Sequence, residues 1–355
     1  MKEVENLSIL NFNSKEFDRL TELSKTTYPG RDISNSNYLQ WEYLQNPDGN
    51  ALITVGDISQ KIVSQYVVLP HLFSIKNKLI TGSLSVNTLT HPDYRGNNIF
   101  EKLALDTFNR CKEENIFFTI GFPNPVSHPI IINKQLFETA GYLTLLLKPF
   151  HSISILISYF KNRNKKTGNE IELTISDKFL SSKSDITFFD FEKDAGKYEE
   201  FLQKFNDEKE NVTLRSLNFL KWRYLKIPNR KYFLLKLETE NKIKALVIFR
   251  TKYIYGIRCG VLIDLMTHTN SDDVKILLNT INEIAKDNKL DLLFSAIPSH
   301  SREFKLLKSA GFYSLPKFLL PQKLAFIVKC HFADCPDSVA DFRKWFLTFG
   351  DYDIF

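Results

Sequence analysis

The sequence predicts an α/β protein of the mixed-sheet, α+β kind, in which two domains each wrap helices around a central twisted mixed β-sheet. Three observations predict this. Apolar runs in the first 142 residues follow the order strand, helix, helix, strand, strand, strand, helix, strand, helix. A tryptophan-centred segment, Tyr38–Pro47, recurs 181 residues later as Phe219–Pro228, and the segment Asn124–Tyr142 recurs 170 residues later, ending in Ala310, Gly311 and Phe312. Two echoes in one order argue for duplicated domains. Finally, Ser83–Phe108 reads as strand, basic glycine-containing turn and helix. The boundaries that follow are 1–150 for the first domain, 151–185 for a linker, 186–330 for the second domain and 331–355 for an aromatic tail docking on the domains.

Each element has a local reason. Leu7–Phe12 reads as a strand and Glu16–Ser24 as a helix. Ser34, Asn35, Ser36 and Asn37 form a capping cluster before the helix of Tyr38–Leu44, which Pro47 ends. Ala51–Val55, Ile62–Leu69 and His71–Ile75 read as three strands, with Asn77 and Lys78 in the following turn. In Ser83–Thr90, Leu84, Val86 and Leu89 lie among small polar residues, and Pro92 ends that strand because it cannot extend a ladder. From Ile99, apolar residues at Phe100, Leu103, Leu105 and Phe108 carry roughly helical spacing. Free N–H groups at a helix start, a positive dipole end and a guanidinium at Arg95 suit a phosphate or pyrophosphate.

Composition narrows the classes. At 355 residues the chain is long for one core. The 30 Phe and 14 Tyr imply aromatic-filled cores or an aromatic cleft. A net charge of +6 is interspersed along the chain, too dilute for nucleic acid, and suits an anionic cofactor or a nucleotide-linked substrate. Four scattered cysteines with no CxxC pair support neither a disulfide framework nor a metal site, although Cys330, His331 and Cys335 are close in sequence. The start, MKEVENLSIL, lacks a signal-peptide pattern, and no apolar run reaches the ~18–20 residues that span a bilayer. The expectation is a cytoplasmic monomer or homodimer without stable membrane insertion.

The stretch THPDYRGNNIFEKL resembles motif A of the GNAT superfamily, the acetyl-CoA-dependent N-acyltransferases. That motif is Arg or Gln, two residues, Gly, one residue, then Gly or Ala. Here Arg95 matches, Asn98 stands at the first glycine position and Phe100 at the second. Asn tolerates left-handed backbone better than most residues, so Asn98 is a mild departure and Phe100 a larger one. Downstream, the apolar run Ile116–Phe122, then Asn124, then a helix taken to end in Leu136–Tyr142, is similar to the family's strand–Asn–helix ending. The two matches together cover roughly 60 residues.

The resemblance implies acetyl-CoA as co-substrate and a small-molecule amine as acceptor. It implies that amides of Thr88, Leu89 and Thr90 serve the thioester and pantetheine arm. Arg95, Gly96, Asn97, Asn98, Ile99 and Phe100 would hold the pyrophosphate, and Asn124 with Ser127 the pantetheine. The family's tyrosine general acid falls at Phe137, which cannot donate a proton. For the base, His91 has a suitable unperturbed pKa of ~6.5. Among carboxylates, Glu42, Glu101, Asp264, Asp351 and Asp353 are candidates, with Glu42 and Asp264 carried forward beside His91.

The second copy lacks the phosphate turn. Leu262–Asp273 has no Arg-Gly, and Asp272 and Asp273 suit the cap of a helix over Val274–Ala285. It reads as degenerate, supplying a wall of the substrate cleft. Between the copies, Pro149–Ile157 is apolar and Lys161–Lys166 basic. That pattern reads as a core-packed element followed by a solvated loop, with a membrane-surface anchor as the alternative. The aromatic run Phe342–Asp353 is similar to endings of GNAT-like proteins of surface-polysaccharide loci, and an inter-domain cleft is the expected dock. The function this predicts is N-acetyl transfer to a small-molecule amine, such as an amino sugar. The rivals are a Fem-type aminoacyl transferase and a non-catalytic binding protein of the same fold.

Overall fold

A computed structural model describes residues 6–12, 16–162, 168–175, 183, 185–269, 272–316 and 323–352. In the first half, β1 (Ser8–Asn11), α1 (Phe17–Thr27) and α2 (Ser36–Leu44) precede a meander of β2 (Leu52–Ile58), β3 (Lys61–Ile75) and β4 (Lys78–Thr90). Then come α3 (Ile99–Glu113), β5 (Phe118–Gly121), α4 (Ser127–Asn133), β6 (Glu138–Tyr142) and β7 (Thr144–Pro149). The second half opens with α5 (Ser152–Asn162), β8 (Ile186–Phe188), α6 (Ala195–Asp207) and β9 (Asn211–Thr213). Next are α7 (Leu217–Leu220), which continues as a π-helical turn over Lys221–Leu225, and a second meander, β10 (Phe233–Thr239), β11 (Lys242–Ile254) and β12 (Ile257–Thr267). α8 (Asp272–Asp287), β13 (Leu292–Ile297), α9 (Arg302–Ser309), β14 (Tyr313–Ser314) and β15 (Ala325–Cys330) complete it.

Two mixed sheets result, β1-β2-β3-β4-β5-β15-β6 and β14-β7-β13-β12-β11-β10-β8. In each, one parallel pair, β4–β5 or β12–β13, lies between antiparallel neighbours. Helical periodicity supplies the cover. α3 buries Ile99, Leu103, Ala104, Thr107, Phe108 and Cys111, and α8 buries Val274, Leu277, Leu278, Ile281, Ile284 and Ala285, both at spacings of three and four. Val63, Tyr66 and Val68 of β3 share a core cluster with α3, while Leu235, Val247 and Leu262 share one with α8.

The units are interleaved rather than sequential. The first comprises Met1–Gly141, Asn218–Asn229 and Leu324–Lys344; the second comprises Tyr142–Leu217, Arg230–Lys323 and Trp345–Phe355. This differs from blocks at 1–150 and 186–330, and chain geometry gives a reason. A single residue, Leu143, separates β6 from β7. That is too short for a hairpin, whose shortest common loop has two residues. β7 therefore pairs with β13, Leu292 opposite Pro149 through Ile297 opposite Thr144. β15 takes the matching place beside β5, Ile327 opposite Gly121 through Cys330 opposite Phe118.

Two local readings are corrected. The two strands expected around Pro70 are one, β3, because β2 pairs no further than Leu52 opposite Val68, so a missing N–H at Pro70 breaks no bond there. The segment read as a helix end, 136–142, instead contains β6. Gly141 in that strand is held open for an aromatic ring: a Cβ there would fall 2.2 Å from the Phe342 ring. Within the first unit the echoed tryptophans meet. Trp41 and Trp222 stack at 4.9 Å, and each indole N–H donates to the other's carbonyl, at 3.0 and 3.1 Å.

A fragment covering 1–150 lacks β15 and leaves the β5 edge unpaired, an aggregation-prone arrangement. Expressed alone, it is expected to be insoluble or to melt without a cooperative transition. Sharp two-state melting of that fragment by circular dichroism would contradict the exchange of strands as a folding requirement.

Candidate functional site

β4 and β5 pair only from Ser83–Thr119 to Ser85–Gly121. β4 runs on to Thr90, so among the described residues Val86–Thr90 has no strand partner on the β5 side. A bulge helps the strands part. The register passes from Gln65–Leu89 to Val67–Val86, setting Asn87 and Thr88 against Tyr66 alone, and Asn87 takes φ +45°. Bulges sharpen local twist and bend the strand that carries them. The result is a notch lined on one side by strand backbone, which is where Thr88, Leu89 and Thr90 were expected to act.

A polar network sits under the bulge. The Asn87 amide nitrogen donates both to the Glu42 carboxylate and to the Tyr43 hydroxyl, the latter at 3.0 Å. Gln65 Nε2 donates to the Asn87 carbonyl at 2.8 Å and to Tyr43 at 3.4 Å, and Tyr38 donates to Glu42 at 3.4 Å. Helix α2 places Tyr38 one turn from Glu42, with Tyr43 next to it. Burial holds the Tyr43 hydroxyl well above the usual phenol range, and the Glu42 carboxylate adds to that, so Tyr43 keeps its proton. Sequence reasoning named Glu42 but missed Tyr43 and Gln65. Their signal was a tyrosine beside a candidate base and a glutamine inside an apolar strand.

At the far end of the notch, Pro92–Tyr94 forms a 3-10 turn that leads into α3. Gly96 and Asn98 both take positive φ, +85° and +55°. Asn98, at the position where the motif has glycine, thus adopts the left-handed geometry that glycine would supply. Among the described residues, no protein acceptor is found for the Gly96, Asn98 and Ile99 amides. Arg95 is exposed, its Nε donating to the Thr90 carbonyl at 3.2 Å, and Asn97 Nδ2 donates to the Tyr94 carbonyl at 3.1 Å. Phe100 turns away from this turn onto Tyr66, ring centroids 5.7 Å apart, so the bulky residue does not crowd the amides. These unsatisfied donors at a fifteen-residue helix start fit the diphosphate of a CoA ester.

Other expected residues are otherwise engaged. His91 Nδ1 accepts from the Asp93 amide at 3.3 Å and caps the turn. The Asn124 side-chain oxygen accepts from the amides of Val126 and Ser127, both at 2.9 Å, and Ser127 Oγ donates to the Asn124 carbonyl at 3.3 Å. Both therefore shape the start of α4. Glu101 pairs with Lys134 at 2.7 Å. Phe137 is a core residue against Phe108. The notch is closed at its base by hydroxyls: Ser83 and Thr119 Oγ atoms lie 2.7 Å apart, and Thr119 lies 2.7 Å from His331 Nε2.

Asp264 is corrected outright. The second unit repeats the device, with β12–β13 pairing limited to Cys259–Leu292 through Val261–Phe294 and a bulge that adds Ile263 on β12. Asp264 follows that bulge but is 1% exposed, and Arg215 donates to it with Nε and Nη2 at 3.1 to 3.3 Å. Arg215 Nη2 also reaches Asp351 at 2.8 Å, and Thr348 bonds Asp264 as well. The 3-10 turn Phe349–Asp351 packs on β12 and β13, with Phe349 5.8 Å from Phe294. Thus residues 345–352 of the tail belong to the second unit, Asp264 and Asp351 are walled in by Arg215, and Asp353 lies outside the described residues.

Two tests follow. Removing Asp264 leaves Arg215 paired with Asp351 but with unmet donors, so Asp264→Ala is expected to cost about 1–3 kcal/mol in chemical denaturation while CoA affinity of the folded protein is unchanged. A loss of affinity without a loss of stability would return Asp264 to the site. Burial, with Lys329 and Lys112 nearby, pushes the His331 imidazole down to about 4. The unfolded chain binds that proton near 6.5, so its contribution to stability is complete above ~6.5 and is lost as pH falls toward 4. Melting temperature should fall across that window, and His331→Gln should flatten the fall; an identical slope in the variant refutes the assignment.

A family model described as Acetyltransferase (GNAT) domain matches residues 8–135. No curated protein matches the sequence. Among solved structures, the chain is similar to a GCN5-related N-acetyltransferase from Anabaena variabilis, at 13% identity and TM-score 0.64, covering 92% of this chain and 73% of that one. It is also similar to Saccharomyces cerevisiae N-myristoyltransferase with bound myristoyl-CoA, at 12% identity and TM-score 0.59, covering 92% and 83%. A probable N-acyltransferase from Enterococcus faecalis follows at 10% identity and TM-score 0.62, covering 92% and 73%. At these identities the likeness shows the fold, and residues 8–135 match the GNAT acetyltransferase domain model.

Proposed function

We propose that the protein is an acyl-CoA-dependent N-acyltransferase, with acetyl-CoA as donor and the amine of a small molecule, such as an amino sugar, as acceptor. The observation that carries this is the continuous run of backbone from the bulge at Asn87 to the start of α3, ending in amides at Gly96, Asn98 and Ile99 for which no described residue is an acceptor. Bound acyl-CoA supplies the acyl group and a thiolate leaving group. The α3 start with Arg95 would hold the diphosphate. Strand amides past Ser85 would orient the thioester and polarise its carbonyl.

Glu42 is the carboxylate best placed to receive the amine proton, directly or through water, because Asn87 ties it to the bulge. Tyr43, protonated and bonded to the same amide nitrogen, is the donor at hand where Phe137 has none. His91, engaged as a turn cap, is the weaker base.

Titration calorimetry with acetyl-CoA is expected to give micromolar binding that Arg95→Glu abolishes. Thiol release over a panel of amines should fall ~10²- to 10⁴-fold in Glu42→Gln, with CoA affinity retained. Binding without release on any amine would assign the non-catalytic role, and absence of binding would overturn the whole reading.

A further inference from the structure

Helix α5 is built inside out. Of its residues, Ser154, Ile155, Ser158 and Asn162 are the partly covered ones, and none is fully buried. Asn162 abuts the β11–β12 turn, where a Cβ on Gly256 would lie 2.4 Å from its amide nitrogen, and Tyr159 meets Tyr255 at 5.7 Å. The opposite face carries Ile153, Leu156, Ile157 and Phe160, at successive helical spacings, with exposures of 75, 59, 61 and 65%. For α5 the core-packed reading therefore fails, although Phe150 before it packs on the core: Ser154, Ile155, Ser158 and Asn162 face the protein and a large apolar stripe faces outward. Such a stripe marks an interaction surface.

Charge identifies what it meets. From Thr139 to Asn169 the sequence contains no Asp or Glu, while Lys148, Lys161, Arg163, Lys165 and Lys166 contribute five positive charges, against a net charge of +6 for all 355 residues. Nearly the whole excess of positive charge thus clusters in sequence around this helix with its outward apolar stripe. Apolar insertion plus basic residues is the pair of signals that binds an anionic lipid surface reversibly. A protein partner would need no such separation of charge. At eleven residues α5 is about 16 Å long, too short to span a bilayer, and no described helix is long and apolar enough to do so. We infer that α5 lies in the plane of an anionic membrane surface and docks the enzyme there, with Ile153, Leu156, Ile157 and Phe160 among the acyl chains and Lys161 at headgroup level.

The test uses the full chain and sedimentation with two kinds of vesicle, phosphatidylcholine alone and phosphatidylcholine with one third phosphatidylglycerol. The expected result is retention on the anionic vesicles only, release at 0.5 M salt, at least tenfold weaker partitioning for the pair Ile157→Asp and Phe160→Asp, and about fivefold weaker for Lys161→Glu. Both sites are exposed, so circular dichroism should be unchanged. Equal retention on neutral vesicles, or none on either, overturns the inference. So does a dimer seen by light scattering that the double variant makes monomeric without any vesicle binding, which would assign the stripe to a second copy of this chain.

Discussion

Everything positional in the first unit rests on an exchange of strands. β5 is flanked by β4 on one side and, on the other, by β15, which arrives from more than two hundred residues downstream. The one-residue connector at Leu143 forbids a local hairpin, so the chain has no cheap way to close that sheet with its own next strand. The Trp41–Trp222 pair shows the same dependence in side chains. Each indole satisfies the other's carbonyl, so neither copy of the repeated segment completes its hydrogen bonds alone. Long-range pairing of this kind raises the entropic cost of folding, and aromatic stacking with two reciprocal bonds helps offset it.

Both sheets carry the same opening and fill it differently. Each meander ends in a bulged strand that parts from its parallel neighbour after three pairs. In the first unit the gap leads to a glycine-and-asparagine turn beside an arginine. In the second the corresponding strand carries Asp264, and Arg215, Thr348 and Asp351 close over it. A diphosphate there would have to displace an aromatic-rich tail and face two carboxylates. In this unit internal packing fills the place that the first unit leaves open.

Local chemistry was legible where local residues decide it. The helix at Ile99, the capping by Asn35 and the left-handed Asn98 all follow from residue type and neighbours, and the structure has them. The mixed sheets and the repeat were legible too, because hydrophobic period and sequence echo survive without coordinates. What failed depends on partners far along the chain. Glu138–Tyr142 looked like a helix end because nothing near it in sequence announces the Phe342 ring against Gly141. Asp264 looked like a base because the sequence cannot say that Arg215 and the tail bury it. Apolar α5 looked like core because periodicity reports that a stripe exists, and only the fold reports which way it faces.

Asn87 joins the backbone argument to the chemical one. Its position needs a residue that accepts φ +45°, which favours glycine, asparagine and aspartate. Glycine would bend the strand equally well but offer no amide to Glu42 and Tyr43. Aspartate would set a second carboxyl group against Glu42 in a buried setting, where like charges are most costly. Asparagine alone among the three permits the bulge and donates to both groups. The residue that parts the strands is therefore also the one that ties Glu42 to Tyr43, so the shape of the notch and the polar network beneath it could not have been set independently.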